Sequence, residues 1–119
     1  MAFRILADVL VAIIALLHLG FLVLEMFFWD HHVGRQLFRL EPEFASQSAP
    51  LAANQGLYNG FLAAGLLWGV LGARTDVSIF FLCCVVVAGI YGGLSVKRSI
   101  LYLQALPGLV ALAAVLLAR

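Results

Sequence analysis

The residues with the most evident chemical capacity are a histidine and a glutamate in one apolar stretch near the amino terminus. His18 and Glu25 are seven residues apart, about two helical turns, and Trp29 follows one turn later. On a helix these three side chains and that of Leu22 fall on one face, within about 60° of one another. A histidine and a carboxyl group in a water-poor site can move protons, as an isomerase or a hydrolase requires. We therefore predict His18 and Glu25 as candidate catalytic residues.

A second group of side chains offers hydrogen bonding to a ligand. Amides and tyrosines can orient a polar head group or stabilise an oxyanion. The predicted ligand-binding residues are Trp29, Asn54, Gln55, Tyr58, Asn59, Tyr91 and Gln104. Two structural alternatives stand beside this prediction. The amides are also typical of interhelical hydrogen bonds, and the aromatic side chains are typical of a belt at the membrane surface.

Metal, cofactor and redox chemistry have little support in the sequence. His31 and His32 follow Asp30, but neighbouring histidines on a helix diverge, and no HxxxH or ExxH spacing is present. There is no recognisable nucleophile triad, glycine-rich phosphate loop or haem motif. Cys83 and Cys84 are adjacent within an apolar run, which favours a role as small apolar fillers. We expect no metal site, and the sequence identifies no cofactor.

The composition indicates that lipid is the solvent of this chain. Of its 119 residues, 65% are hydrophobic and only 11% are charged, whereas soluble domains carry about 25% charged residues. A chain of this size with so few polar residues cannot cover its surface with polar groups in water. The net charge of +1 offers no basic stripe for phosphates, so we expect no nucleic-acid partner.

Four apolar stretches approach the length of about 20 residues that a helix needs to cross the hydrocarbon. They predict helices at about 5–28, 51–73, 77–95 and 100–118. Backbone groups must be paired internally in lipid, so these stretches must be helical. The predicted fold is an all-α membrane protein, an up-down bundle of four transmembrane helices forming a single domain over residues 1–119.

The first connection, residues 30–50, is the only long polar stretch. Apolar Val33, Leu37 and Leu40 alternate there with Arg35 and Arg39, among others. This pattern suits either a short amphipathic helix at the membrane interface or an ordinary connecting loop. Positive charges divide four against three between the two predicted sides, so the orientation in the membrane is not encoded.

In an antiparallel four-span bundle, the predicted site residues share the half that adjoins the first connection. The opposite half is left with Asp8, near its edge, and Trp68. Small residues on other faces suit close helix packing, namely Gly56, Gly60, Ala63 and Ala64 in the second predicted helix and Gly89 and Gly93 in the third. These glycine faces also suit a homo-oligomer. The prediction is a polar pocket in one half of the bundle.

Several segments resemble a family of small bacterial membrane proteins. They are His18 with LEMFFW (24–29), LAANQGLYNGFLAAGLLWG (51–69), VAGIYGG (87–93) and LQALPGL (103–109). The family is known as domain of unknown function 1304, and the resemblance extends over nearly the whole chain. It implies a four-span protein of the bacterial inner membrane, and it implies no reaction. The positions that carry over are His18, Glu25 and the seven predicted ligand-binding residues.

Three functions follow as hypotheses. The first is a pocket for a small or lipophilic molecule, with acid–base chemistry as an extension. The second is a small proton-coupled multidrug-type transporter, which needs a site near the membrane midplane that is reachable from both sides. The third is a scaffold or assembly subunit whose polar half docks another membrane protein.

Overall fold

The chain folds entirely into helices. A computed structural model describes residues 1–119 and contains no strand. The helices are α1 (Ala2–Phe27), α2 (His32–Phe38), α3 (Pro42–Leu71), α4 (Thr75–Ser95) and α5 (Leu106–Ala118), with a π-helical segment, Leu101–Ala105, running directly into α5. The all-α prediction is confirmed. Three helical stretches are long and apolar enough to cross a membrane: α1, α4 and the continuous Leu101–Ala118.

Helix α3 differs from its prediction in both extent and composition. It begins at Pro42 rather than at residue 51, and it continues through Pro50. An interior proline removes a backbone hydrogen bond and costs about 3 kcal/mol, which is why Pro50 resembles a helix boundary in the sequence. The amides in the middle of α3 lower its hydropathy, and it is not among the three apolar helices. The four-span bundle is therefore not confirmed.

The first connection contains the short helix α2. The Nδ1 atom of His31 accepts the backbone N–H of Val33 at 3.2 Å, which caps the amino terminus of α2. Arg39 ends the helix in the left-handed conformation with φ 55°. Its N–H bonds the carbonyl of Arg35, whose side chain pairs with Asp30 at 3.0 Å. Of the two alternatives for this connection, the structure contains the short helix.

The chain divides into two compact units, and the first comprises Met1–Ala15 and Ala64–Arg119. Leu66, Leu82 and Val85 form the centre of its core and are fully buried. The helices of this unit meet through glycines. A methyl group at Gly89 would lie 2.7 Å from the backbone nitrogen of Ala105. Gly65, Gly69, Gly93 and Gly108 likewise face side chains of a neighbouring helix in this unit.

The second unit, Leu16–Ala63, contains the last part of α1, all of α2 and the first part of α3. Gly34 of α2 is buried against the backbone carbonyl of Phe28, so a side chain at this position would push α2 away from the end of α1. Gly56 and Gly60 face side chains of α1. In both units, then, the glycine faces are occupied by helices of the same chain.

Replacing Ala73 by glycine is expected to give a small gain in stability. It adopts φ 53° just after α3, a left-handed conformation that costs L-residues about 1–2 kcal/mol and that glycine adopts freely. Part of this strain is offset by the greater freedom of glycine in the unfolded chain. We expect Ala73→Gly to raise the free energy of unfolding in detergent micelles by about 0.5–1 kcal/mol. Ala88→Gly, the same change at an exposed position within α4, should lower it by about 1 kcal/mol.

Candidate functional site

A hydrogen bond between Glu25 of α1 and Asn59 of α3 is the centre of the candidate site. The Asn59 Nδ2 donates to Glu25 Oε1 at 2.5 Å. Asn59 is only 6% exposed, whereas Glu25 is half-buried. The contact thus joins two polar side chains from separate helices.

Glycines on α3 allow the two helices to come this close. A methyl group at Gly56 would lie 2.7 Å from the Met26 Cγ and 3.1 Å from the Glu25 Cβ. Asn59 follows Gly56 by three residues, so both point from the same side of α3. The absence of a side chain at Gly56 therefore lets the carboxyl group of Glu25 reach the amide of Asn59.

Trp29 is held in place beyond the end of α1. Its indole Nε1 donates to the Ser48 Oγ at 2.9 Å, and the Ser48 hydroxyl donates to the carbonyl of Phe44 at 2.6 Å. The Trp29 ring also lies 5.0 Å from that of Phe38 in α2. Ser48 was not predicted as a partner of Trp29, because the predicted helix began only at residue 51 and left Ser48 in the connection. In the structure Ser48 belongs to α3, which begins at Pro42.

His18 is the most deeply buried of the predicted site residues, with 0% exposure. Its ring meets the edge of Phe21 at 5.2 Å. Seven residues of helix separate it from Glu25, which corresponds to about 10 Å along the axis. His18 and Glu25 thus share a face of α1 but stand at different depths.

Asn54, Gln55 and Tyr58 lie on the outer side of α3. All three are exposed, Tyr58 by 51%, and none of their side chains forms a hydrogen bond within the chain. Asn54 and Asn59 differ by about 140° around the helix axis, so the two amides cannot face the same neighbour. Gln55 is one turn from Asn59 and borders the contact with Glu25.

The last two predicted ligand-binding residues belong to the first unit. The Gln104 Nε2 donates to the backbone carbonyl of Val85 at 3.1 Å, so this amide joins the π-helical segment to α4. Tyr91 is 74% exposed on α4, and its backbone carbonyl accepts the hydroxyl of Ser95. For Gln104 the observed contact is the interhelical alternative, and the ligand-binding role of both residues stays a prediction.

Comparison with known proteins identifies the family. The family model described as a protein of unknown function, DUF1304, matches residues 12–116. The chain belongs to the DUF1304 family. No curated protein and no solved structure matches it. The family resemblance predicted from the segments around His18, Asn54 and Gln104 is confirmed.

This DUF1304 protein also contains a polar cavity that the sequence did not predict. It has a volume of about 50 Å³ in the first unit, enough for a few water molecules. Its polar lining comes from Arg4, Asp8, Thr75 and Ser78, and the Arg4 Nη2 donates to the Thr75 Oγ1 at 3.3 Å. The sequence did contain a signal for this cavity. Arg4 and Asp8 are four residues apart on α1, and Thr75 and Ser78 are three residues apart on α4, so each pair shares a helix face. Polar side chains therefore also gather in the half where only Asp8 and Trp68 were expected.

Proposed function

We propose that this chain is a membrane protein that binds a small lipophilic molecule through a polar site at Glu25 and Asn59. The hydrogen bond between these residues is the observation that carries the proposal. Ionisable side chains on membrane helices are costly and, as a default, mark functional sites. Helix packing alone does not need a carboxyl group here, because Gly56 and Gly60 already let the helices approach closely.

The atoms left over at the site indicate the chemistry of the ligand. The Asn59 amide uses only Oε1 of Glu25, and neither Glu25 Oε2 nor Asn59 Oδ1 takes part in a hydrogen bond within the chain. Both atoms are acceptors, so they favour a ligand that donates, such as an alcohol or an amine. Gln55, exposed one turn from Asn59, adds an amide at the border of the site.

The position of Glu25 along α1 favours an amphiphilic ligand. Glu25 lies in the last turn of α1, which ends at Phe27. A head group bound there would sit near the membrane surface, with its apolar part along the apolar residues that precede Glu25. A transporter needs its site near the midplane, and the place of Glu25 does not favour that alternative.

The proposal includes the membrane arrangement. In it, the part of α3 from Leu51 onward is the fourth span, and the protein is a multi-pass component of the bacterial inner membrane. In its stronger form the site supports acid–base chemistry, in which Glu25 takes the proton of the bound head group only as that group reacts. His18, about 10 Å deeper on the same face, is covered by the chain itself and does not reach this head group.

The test is native mass spectrometry of the protein from lipid nanodiscs, combined with binding of a dansyl-labelled long-chain alkylamine. The unaltered chain is expected to carry a small-molecule adduct and to bind the probe. Glu25→Gln removes an acceptor from the head-group site, so we expect probe affinity to fall at least about tenfold, equivalent to one good polar contact.

Glu43→Gln is the matched control, because Glu43 is an exposed carboxyl in the first turn of α3, outside the site. It should bind the probe as the unaltered chain does. Equal affinities for all three proteins, together with the same adduct in all of them, would refute a site at Glu25.

A further inference from the structure

The polar cavity of the first unit lies where four helices come together. Its walls come from α1, α3, α4 and α5, and its polar side chains are those of Arg4, Asp8, Thr75 and Ser78. The three stretches long and apolar enough to cross a membrane all contribute to it. It lies at the start of α1 and α4 and at the end of α5. In a membrane the ends of such helices meet the lipid head groups, so the cavity opens at that level.

The inner part of the cavity contains polar groups without partners. Exposure decreases from Arg4, which is exposed, through Asp8 and Thr75, which are half-buried, to Ser78, which is only 5% exposed. Gly69 leaves the space in front of the Ser78 Oγ open, because a methyl group at Gly69 would collide with that oxygen. Neither the Ser78 hydroxyl nor the Asp8 carboxyl group forms a hydrogen bond within the chain. A buried polar group without a partner is destabilising, so the cavity favours a ligand that donates hydrogen bonds to its inner part.

Two groups of opposite charge line the cavity without pairing with each other. Arg4 and Asp8 are one turn apart on the same face of α1, yet they form no ion pair. The Arg4 Nη2 donates a long hydrogen bond of 3.3 Å to the Thr75 Oγ1, and the other N–H groups of the guanidinium remain available. The cavity therefore presents a cation at its mouth, and a carboxyl group and hydroxyls farther in.

We infer that this cavity binds a phosphoethanolamine group, in which two carbons join a primary ammonium to a phosphate. The ammonium enters the cavity and donates its three N–H groups to Asp8, Thr75 and Ser78. The phosphate stays at the mouth and accepts from the Arg4 guanidinium. The volume of about 50 Å³ is enough for an ammonium, which is similar in size to a water molecule, and the carbon next to it. Side chains one turn apart have Cβ atoms about 5–6 Å from each other, a separation that suits so short a zwitterion.

Other occupants satisfy only part of the cavity. A choline group is bulkier than a primary ammonium and has no N–H to donate to Asp8 or Ser78. A phosphoglycerol group brings no positive charge to Asp8, and a free cation brings no negative charge to Arg4. Water fills the volume but neutralises neither charge. The combination of both charges, a small volume and the level of the head groups selects a primary ammonium attached to a phosphate.

Native mass spectrometry of the protein in micelles, titrated with dioleoyl lipids of three head groups, measures this preference. The unaltered chain is expected to bind phosphatidylethanolamine at least about tenfold more tightly than phosphatidylcholine or phosphatidylglycerol, as a charged hydrogen bond would give. Asp8→Asn removes the negative charge and should abolish most of the preference. Ser78→Ala removes one neutral hydrogen bond and should weaken phosphatidylethanolamine binding about fivefold.

Asp76→Asn is the matched control, because Asp76 is an exposed carboxyl group at the start of α4 that pairs with Arg74 outside the cavity. It should keep the preference of the unaltered chain. Glu25→Gln should keep it as well, since Glu25 does not line this cavity. Unchanged helical circular dichroism of the Asp8 and Ser78 variants shows that they fold.

Soluble phosphoethanolamine, titrated in the same way, identifies the source of the group. Tighter binding of the lipid assigns the site to the membrane, whereas binding of the soluble compound without any lipid preference assigns it to a free ligand of the same chemistry. Equal retention of the three lipids together with no binding of the soluble compound would overturn the inference. So would a preference for phosphatidylethanolamine that persists in both Asp8→Asn and Ser78→Ala.

Discussion

Replacing Gly89 by alanine is expected to lower the free energy of unfolding by about 3 kcal/mol, the upper end of the usual cost of overpacking. The added methyl group would lie 2.7 Å from the backbone nitrogen of Ala105 and 2.9 Å from its Cα. Backbone atoms cannot rotate away as a flexible side chain can, so α4 and the π-helical segment must separate. Equilibrium unfolding in mixed micelles, followed by helical circular dichroism, measures the loss.

Gly92→Ala is the matched control on the same helix. A methyl group at Gly92 would meet only the Ile100 side chain, at 3.4 and 3.5 Å, which is ordinary contact. Because alanine favours the helix more than glycine does, Gly92→Ala should leave the free energy of unfolding unchanged or raise it by up to about 1 kcal/mol. If both variants lost the same stability, the backbone contact at Gly89 would not be the cause.

The helices were predictable to the extent that lipid dictates backbone structure. In a stretch such as 77–95, length and lack of charge suffice, because an unpaired backbone group in hydrocarbon is too costly. Local rules failed at Pro50, whose cost inside a helix predicts a boundary, although α3 continues through it. The argument from length and lack of charge also ignored the amides of α3, which lower the mean hydropathy of that helix.

The site was predictable in its composition but not in its contacts. Asn54, Gln55, Tyr58 and Asn59 span an arc of about 140° around the helix, and this arithmetic does not say which edge of the arc is buried. Only Asn59, at the edge of that arc next to the glycines, turns towards Glu25. The docking of Gly56 against α1 decides which edge is buried, and this is a property of the packed helices.

Gln104 shows the same limit for a single residue. Its amide was equally suited to a ligand or to a neighbouring helix, because a side chain that can donate and accept fits either role. The outcome depends on Gly89, whose missing side chain brings the π-helical segment against α4 and places the Val85 carbonyl within reach of Gln104. Sequence spacing alone does not contain that distance.

Asn59→Leu is expected to lower the free energy of unfolding by about 2 kcal/mol, because it leaves the half-buried carboxyl group of Glu25 without its hydrogen bond. Glu25→Met combined with Asn59→Leu should restore most of that loss. Replacing both partners of a hydrogen bond by apolar groups of similar shape is nearly neutral, whereas removing one leaves a polar group unsatisfied. A double-mutant cycle in mixed micelles should give a coupling of about 1–2 kcal/mol.

Glu43→Met with Gln47→Leu supplies the control cycle, since this carboxyl–amide pair is exposed on one helix with its atoms 3.5 Å apart. It should show almost no coupling. The stable double variant at Glu25 and Asn59 then separates structure from function, because it keeps the helix packing and lacks the polar site. Such a protein should fold as the unaltered chain does and fail to bind the alkylamine probe. Binding of undiminished strength would mean that the hydrogen bond serves the helices alone.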